Sequence, residues 1–338
     1  MTSRQLAAPL AIAIGALTLA ACGGGSPTTP GSPPSDPNAG LPGKLTFRVS
    51  PIAQGDFTFI TPLGNLNPPG HVLSTDHIYF YTTNPAGGLP GITRVPFVVP
   101  GDGVVSWMLG GGIGTESKLL VRASATVQYS LDHLILTAPV SVGQKLTAGQ
   151  VLGTSGLAYA VDLGVVNTSL TLGFVNPARY FDETLHCDAP LRYFEEPLRS
   201  QLYARVQRLG PDLDGKIDFD VPGRLAGNWF VNDATPIAFV YDTYHPDRVL
   251  ISVGSGSPQG VFRIGDGDPR PADVSVDSGK VLYTLVPTVN GPNGDTGTPI
   301  ITAHMLVQML DSSRIKVEMF PMPLAAADFT ANARTFSR

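Results

Sequence analysis

The chain has 338 residues and a formal net charge of −5, and this length predicts about two domains. Only 14% of the residues are charged, and 38 glycines and 31 prolines favour short strands and turns over coiled coils or long exposed helices. No basic excess is available to displace counterions, so we expect no nucleic-acid partner.

The first 21 residues have the pattern of a signal peptide. Arg4 precedes an apolar run that is too short to span a bilayer comfortably. The run ends in Leu-Ala-Ala-Cys at residues 19–22, which resembles the lipobox of bacterial lipoproteins. The resemblance implies cleavage before Cys22 and acylation of its thiol and new amino group. The alternative is an ordinary secretory signal followed by an incidental cysteine.

Residues 22–43 predict a disordered tether between this anchor and the folded body. They are mostly Gly, Pro, Ser and Thr, which bury too little apolar surface to offset the entropy lost on ordering. The expected location is the cell envelope, with the lipid anchor in a membrane. Gly23, where an Asp would favour retention in the plasma membrane, favours the periplasmic face of the outer membrane. Cys187 is left without a disulfide partner, so we expect a buried thiol.

The rest of the chain predicts an all-β fold with two β domains and a short helical joint. Residues 44–175 and 216–338 alternate short apolar runs with Gly- and Pro-rich turns, which favours a barrel or sandwich in each part. Residues 176–215 are predicted to connect the two domains. Within 188–208, apolar residues recur every three or four positions, which indicates a helix, and Pro197 is expected to interrupt it. The predicted strands are 45–49, 77–81, 97–99, 103–108, 119–123, 127–129, 161–166, 237–241, 249–253, 281–286, 306–310 and 315–320.

Residues 133–166 carry the most specific motif. His133 and Leu134 precede the stretch VGQKLTAGQVLGTSG at 142–156, and residues 98–105 read VVPGDGVV. This arrangement resembles the catalytic barrel of lysostaphin-type zinc endopeptidases, the peptidoglycan hydrolases with a duplicated-hybrid-motif fold. The resemblance covers roughly residues 60–170 and implies a barrel whose glycines permit tight hairpins and close strand approach.

The zinc ligands of that family are matched only in part. The family holds zinc with the His and Asp of an H-x-x-x-D motif and the second His of an H-x-H motif. Residues 160–162, in place of H-x-H, read Ala-Val-Asp, so both histidines are missing. His71 and Asp76 are one residue too far apart for H-x-x-x-D, whereas His133 matches an assisting histidine.

Two hypotheses follow from this partial match. In the first, a degenerate barrel has lost its metal, needs no cofactor and binds peptidoglycan or an envelope protein without catalysis. In the second, a zinc-dependent peptidoglycan hydrolase uses a rearranged ligand set. The missing H-x-H histidines favour the first hypothesis, with no catalytic residue assigned. The candidate metal ligands under the second are His71, Asp76, His77, His133 and Asp162.

The predicted lipid anchor can be tested in living cells. A clickable fatty acid fed to cells that express the full chain should label it, because the lipobox-like sequence directs acylation to Cys22. Cys22→Ala should abolish the label, and label retained by that variant would contradict the prediction.

Overall fold

Ten strands of the first part of the chain form one antiparallel sheet in the computed structural model. The structure describes residues 38–82, 94–156, 160–231, 235–256, 258–288, 291, 301–322 and 328–338. The predicted signal peptide, Cys22 and most of the predicted tether lie outside the described residues.

The sheet is organised around its longest strand, β6. Its main path runs β1-β2-β9-β6-β5-β4-β7, while β10 pairs with β9 and β8 pairs with both β3 and β6. Its strands are β1 (Phe57–Thr61), β2 (His77–Thr82), β3 (Pro96–Val98), β4 (Gly103–Leu109), β5 (Glu116–Arg122), β6 (Val127–Leu136), β7 (Lys145–Leu146), β8 (Val151–Ser155), β9 (Ala160–Asn167) and β10 (Cys187–Asp188).

Side-chain alternation explains why this sheet has one well-defined core. Along β5, Ser117, Leu119 and Val121 are buried while the residues between them are more exposed, as expected for a strand with one buried face. Strand β9 differs, because nearly every residue from Ala160 to Val166 is buried. It lies between β2 and β6, so a polar side chain on β9 is enclosed by protein.

The second part of the chain forms a closed barrel of eight antiparallel strands in sequence order. Phe230 pairs with Ser337, which joins the last strand to the first. Large side chains including Trp229, Phe239 and Tyr283 fill the interior. The strands are β11 (Gly227–Phe230), β12 (Pro236–Tyr241), β13 (Val249–Val253), β14 (Gly260–Arg263), β15 (Lys280–Pro287), β16 (Ala303–Met309), β17 (Arg314–Pro321) and β18 (Arg334–Ser337).

The segment between the sheet and the barrel contains only short helices. They are α1 (Asp182–Leu185), α2 (Leu198–Tyr203) and two 3₁₀ turns, Pro177–Arg179 and Pro190–Tyr193, with a third 3₁₀ turn at Val276–Ser278 inside the barrel sequence. In the part of the chain that the structure describes, no helix has the length and apolar character needed to cross a membrane.

The all-β prediction with a short helical joint is confirmed, and two local predictions need correction. Residues 45–49 do not form a strand: Phe47 makes one isolated parallel bridge to Phe194, and its neighbours bond to the irregular segment at Pro100. Residues 188–208 hold a 3₁₀ turn and α2 rather than one longer helix, and α2 begins directly after Pro197, where an interruption was predicted.

The sheet and the barrel belong to one compact unit, Gly40–Arg338. The hydroxyls of Thr61 and Tyr244 lie 2.8 Å apart, and Thr243 donates to the carbonyl of Leu63 at 2.6 Å. Buried hydrogen bonds therefore join the two parts directly. The predicted domain boundaries after residues 175 and 215 stay predictions.

The glycine motif can be tested at Gly153 on β8. A Cβ at this position would lie 1.9 Å from the carbonyl oxygen of Ile135, so Gly153→Ala forces β8 away from β6. We expect a loss of about 2–4 kcal/mol in the free energy of unfolding, measured with urea. Gly55→Ala is the matched control, because no atom lies within 4 Å of its Cβ position. Equal stability of the two variants would contradict close strand approach as the role of Gly153.

Candidate functional site

A cluster of ionisable side chains lies where β2, β9 and β6 run side by side. His77 is the first residue of β2, directly after Asp76. Tyr79 of β2 is paired with Asp162 of β9, and Asp162 is also paired with Asp132 of β6. β9 thus places the carboxylate of Asp162 between β2, which carries His77, and β6, which carries His133.

His133 enters the cluster through an unusual backbone conformation. Strand β6 pairs with β9 as far as Asp132 and with β8 from Leu134 onward. His133 lies at this change of partner with φ of 58°, and it is the only non-glycine residue with positive φ among the described residues. Such a conformation is uncommon for a residue with a Cβ and is typical of functional or otherwise constrained positions.

Both histidines direct one ring nitrogen at the same carboxylate oxygen. Nε2 of His77 lies 3.2 Å, and Nε2 of His133 lies 3.4 Å, from Oδ2 of Asp162. The side chain of Asp162 is only 6% exposed, and its Oδ1 has no hydrogen-bond partner among the described residues. A buried carboxylate needs a compensating charge, and the two imidazoles are placed to supply it as imidazolium.

On the opposite side of each imidazole ring, the Nδ1 atom contacts one further carboxylate. Nδ1 of His77 lies 2.9 Å from Oδ1 of Asp76, and Nδ1 of His133 lies 2.6 Å from Oε1 of Glu116. The hydroxyl of Thr184 donates to the other oxygen of Asp76 at 2.5 Å. Each ring is therefore held between two acceptors, an arrangement that fits a doubly protonated imidazole.

These contacts shift the pKa values of the cluster. Burial by itself lowers the pKa of His77, but the charges of Asp162 and Asp76 outweigh burial and raise that pKa above its usual range. The pKa of His133 is raised in the same way, with burial opposed by Asp162 and Glu116. Burial acts to raise the pKa of Asp76, yet bonding to His77 and Thr184 holds that pKa at about 2.

His71 lies beside the cluster rather than within it. Its ring centroid is 5.6 Å from that of His77, and burial together with the nearby His77 charge lowers its pKa. The backbone of His71 exchanges two hydrogen bonds with Asn67. Its ring lines a cavity of about 420 Å³ whose other walls include Asp76, His77, Thr184 and, from the barrel, Pro236 and Gly254.

The expectation of a buried thiol is confirmed at Cys187, which is free and buried. Its Sγ donates to the backbone carbonyl of Asp76 at 3.3 Å. Burial raises the pKa of the thiol well above its usual value, so the thiolate is disfavoured near neutral pH. Cys187 thus supports the backbone of the cluster and is a poor nucleophile.

Three donor atoms of the cluster face one another, Nε2 of His77, Nε2 of His133 and Oδ2 of Asp162. Zinc sites in proteins have at least three protein ligands around one point. Across the described ranges, no group of three or more His, Cys, Asp or Glu side chains is arranged to hold a metal ion. Of the five predicted ligands, the structure brings His77, His133 and Asp162 together, turns Asp76 toward the far side of His77, and leaves His71 in the adjoining cavity.

Three members of the site were not predicted from the sequence. Tyr79 places its hydroxyl 2.9 Å from Nε2 of His77, and its position two residues after His77 on one strand was a usable signal. Glu116 and Thr184 reach the histidines across other elements. No spacing pattern in the sequence connects either residue to the cluster.

Comparisons with known proteins leave the family open. No protein family matches the sequence, and no curated protein matches it. A peptidase M23 candidate from Pseudomonas aeruginosa aligns at 20% identity and a TM-score of 0.24, over 39% of this chain and 49% of its own, so this chain spans about half of that protein. The M23 metalloprotease pseudoalterin from the deep sea aligns at 15% identity and a TM-score of 0.28, over 44% of this chain and 88% of its own.

A catalytic-domain variant of the prophage-encoded M23 protein EnpA from Enterococcus faecalis also aligns. The identity is 20% and the TM-score 0.17, over 32% of this chain and 82% of that chain. TM-scores this low carry no conclusion about activity.

The pairing of Asp162 with two histidines can be tested by titration. Asp162→Asn removes the largest charge that raises both pKa values, so the pKa of His77 and of His133 should fall. NMR titration of the ring signals of the six histidines measures this change. Asp266→Asn, on an exposed turn of the barrel sequence, is the charge-matched control. Unchanged histidine pKa values in Asp162→Asn would contradict the pairing.

The same contacts predict how stability depends on pH. A histidine whose folded-state pKa is raised stabilises the protein fully below its unfolded pKa, and this contribution is lost as the pH rises through the raised value. The melting temperature should therefore fall as the pH rises above about 6.5, the ordinary pKa of histidine, and Asp162→Asn should flatten that dependence. A melting temperature that rises over this range would contradict the direction of both shifts.

Proposed function

We propose that this chain is an envelope protein, lipidated at Cys22, whose sheet domain is a non-catalytic binding module related to murein endopeptidases. Its ligand is peptidoglycan or an envelope protein. The observation that supports the absence of catalysis is the sequence at residues 160–162, where Ala160 and Asp162 stand in place of the two histidines of the H-x-H motif. In the zinc endopeptidases that this stretch resembles, one of those histidines holds the metal and the other assists the attacking water, and zinc hydrolysis depends on both functions.

The cavity beside His77 is the proposed binding surface. It is open, has a volume of about 420 Å³, and is lined by hydroxyl, imidazole and carboxylate groups as well as apolar side chains. Peptidoglycan stem peptides carry amide, carboxylate and ammonium groups, which such a lining can hydrogen-bond. Asp76 is ionised at neutral pH, because its pKa is held at about 2, and it supplies a negative charge at the cavity wall.

The second hypothesis, a zinc hydrolase with rearranged ligands, draws on one specific feature. Asp76 and Glu116 each contact the Nδ1 of a histidine whose Nε2 points to a common centre. Carboxylates that contact the distal nitrogen also orient metal-ligating histidines. The two hypotheses differ in whether zinc binds the folded protein.

Purified peptidoglycan sacculi test the binding proposal. The mature chain should co-sediment with sacculi without releasing soluble fragments. His71→Ala removes a ring from the cavity wall and leaves the Asp162 network in place, so binding should weaken several-fold. His186→Ala is the control matched in residue type, because this half-buried histidine bonds to the carbonyl of Leu170 and does not line the cavity. Equal binding of sacculi by both variants would contradict the cavity beside His77 as the binding surface.

Zinc-dependent melting separates the two hypotheses. A metal that binds only the folded state raises the melting temperature by mass action. We expect added zinc to leave the melting temperature unchanged at about pH 7 and at about pH 5. A rise of several degrees at the higher pH that disappears in Asp162→Ala, together with fragment release from sacculi, would establish the hydrolase instead.

A further inference from the structure

One end of the C-terminal barrel opens into a second cavity. Its volume is about 250 Å³. The apolar part of its lining includes Ile237, Val253, Val317 and Phe336, which all belong to the barrel core. The mouth of a closed β-barrel is a common place for a small-ligand site. This cavity lies at the start of β12 and the end of β13, where the barrel interior reaches the surface.

The other end of the barrel is closed by the C-terminal residue. The guanidinium of Arg338 lies 4.1 Å from the ring centroid of Trp229, and it donates hydrogen bonds to the carbonyls of Ala226, Val221 and Arg224. Between the two ends, Trp229, Phe239, Tyr283 and Met305 fill the interior. A ligand can therefore occupy the mouth and cannot pass through the barrel.

The guanidinium of Arg334 lies at this mouth. Arg334 precedes Phe336 by two residues on β18, so both side chains project from the same face of the strand. The guanidinium lies 5.9 Å from the Phe336 ring centroid, and among the described residues it makes no ion pair and no hydrogen bond. An apolar pocket beside an unpaired guanidinium favours an anion with an apolar body.

The other charge at the mouth is already engaged. Glu318 follows Val317 and therefore projects to the opposite face of β17. Its two carboxylate oxygens accept hydrogen bonds from the backbone N–H and the hydroxyl of Thr330, at 2.7 and 2.5 Å. The hydrogen-bonding capacity of Glu318 is thus directed at Thr330, and the guanidinium of Arg334 is the charged group at this end whose donors are left for a ligand.

We propose that the barrel mouth binds a short aliphatic carboxylate, with its chain among Ile237, Val253 and Val317 and its carboxylate on Arg334. The cavity is smaller than the roughly 300–1,000 Å³ of pockets for drug-sized ligands, which selects one short chain. This site uses none of the residues of the Asp162 network. A test of this site can therefore fail without affecting the proposed function of the sheet, and the reverse also holds.

Titration calorimetry of the mature chain with butanoate, hexanoate and octanoate tests this site. Each pair of added methylenes should tighten binding by roughly fifteenfold until the pocket is full, since each buried methylene contributes about 0.8 kcal/mol. Octanol should bind more weakly than octanoate, because it lacks the charge that pairs with Arg334. No octanoate binding below its micelle concentration, or equal affinity for octanol, would overturn the proposal.

Arginine variants locate the binding. Arg334→Gln should weaken octanoate binding by about tenfold and leave octanol unaffected, the scale of one charge-assisted hydrogen bond. Arg334→Lys should retain most of the affinity. Arg314→Gln is the charge-matched control, since Arg314 begins β17 at the far end of the barrel and pairs with Asp311. Equal loss in the Arg334→Gln and Arg314→Gln variants, or no loss in either, would overturn the assignment.

Discussion

The buried carboxylate of Asp162 is the constraint on which the surrounding structure depends. It lies on the strand that is enclosed on both sides, with one oxygen facing two imidazoles and the other without a hydrogen-bond partner among the described residues. Removing an ionised carboxylate from water costs several kcal/mol unless nearby charges compensate. The change of partner along β6 and the positive φ of His133 both bring an imidazole to this point. The strained backbone of His133 thus places its imidazole where it compensates the charge of Asp162.

This constraint also explains why acidic residues surround the histidines on their outer sides. An imidazole that bridges Asp162 and a second carboxylate is favoured in its protonated form, and that form is the one Asp162 requires. Asp76 and Glu116 therefore act on Asp162 indirectly, by keeping His77 and His133 charged. Loss of any one member leaves a charge unpaired, so the cluster should respond to substitution as a unit.

The sequence predicted the architecture better than it predicted the site. Strand 249–253 was predicted with its observed bounds, because a run that is apolar except for Ser252 ends there at a glycine. Residues 45–49 alternate like a strand, but they bond to irregular backbone, and no local pattern reveals the partner. Asp162 and His133 were found through the resemblance to a peptidase motif. Glu116 was missed because a register shift between Ser117 and Leu119 positions β5 against β6, and a bulge of this kind has no sequence signature.

The contact between the barrel and the sheet bears on what the site can accept. A Cβ on Gly254 would lie 2.4 Å from Cγ2 of Val72, so the loop after β13 packs against the segment that carries His71. Pro236 and Gly254 then form a wall of the cavity beside His77. Buried hydrogen bonds such as that between Thr243 and Leu63 hold the two parts together. This wall is therefore a fixed part of the cavity. A ligand next to His77 must fit the barrel as well as the sheet, and its selectivity is therefore a property of both.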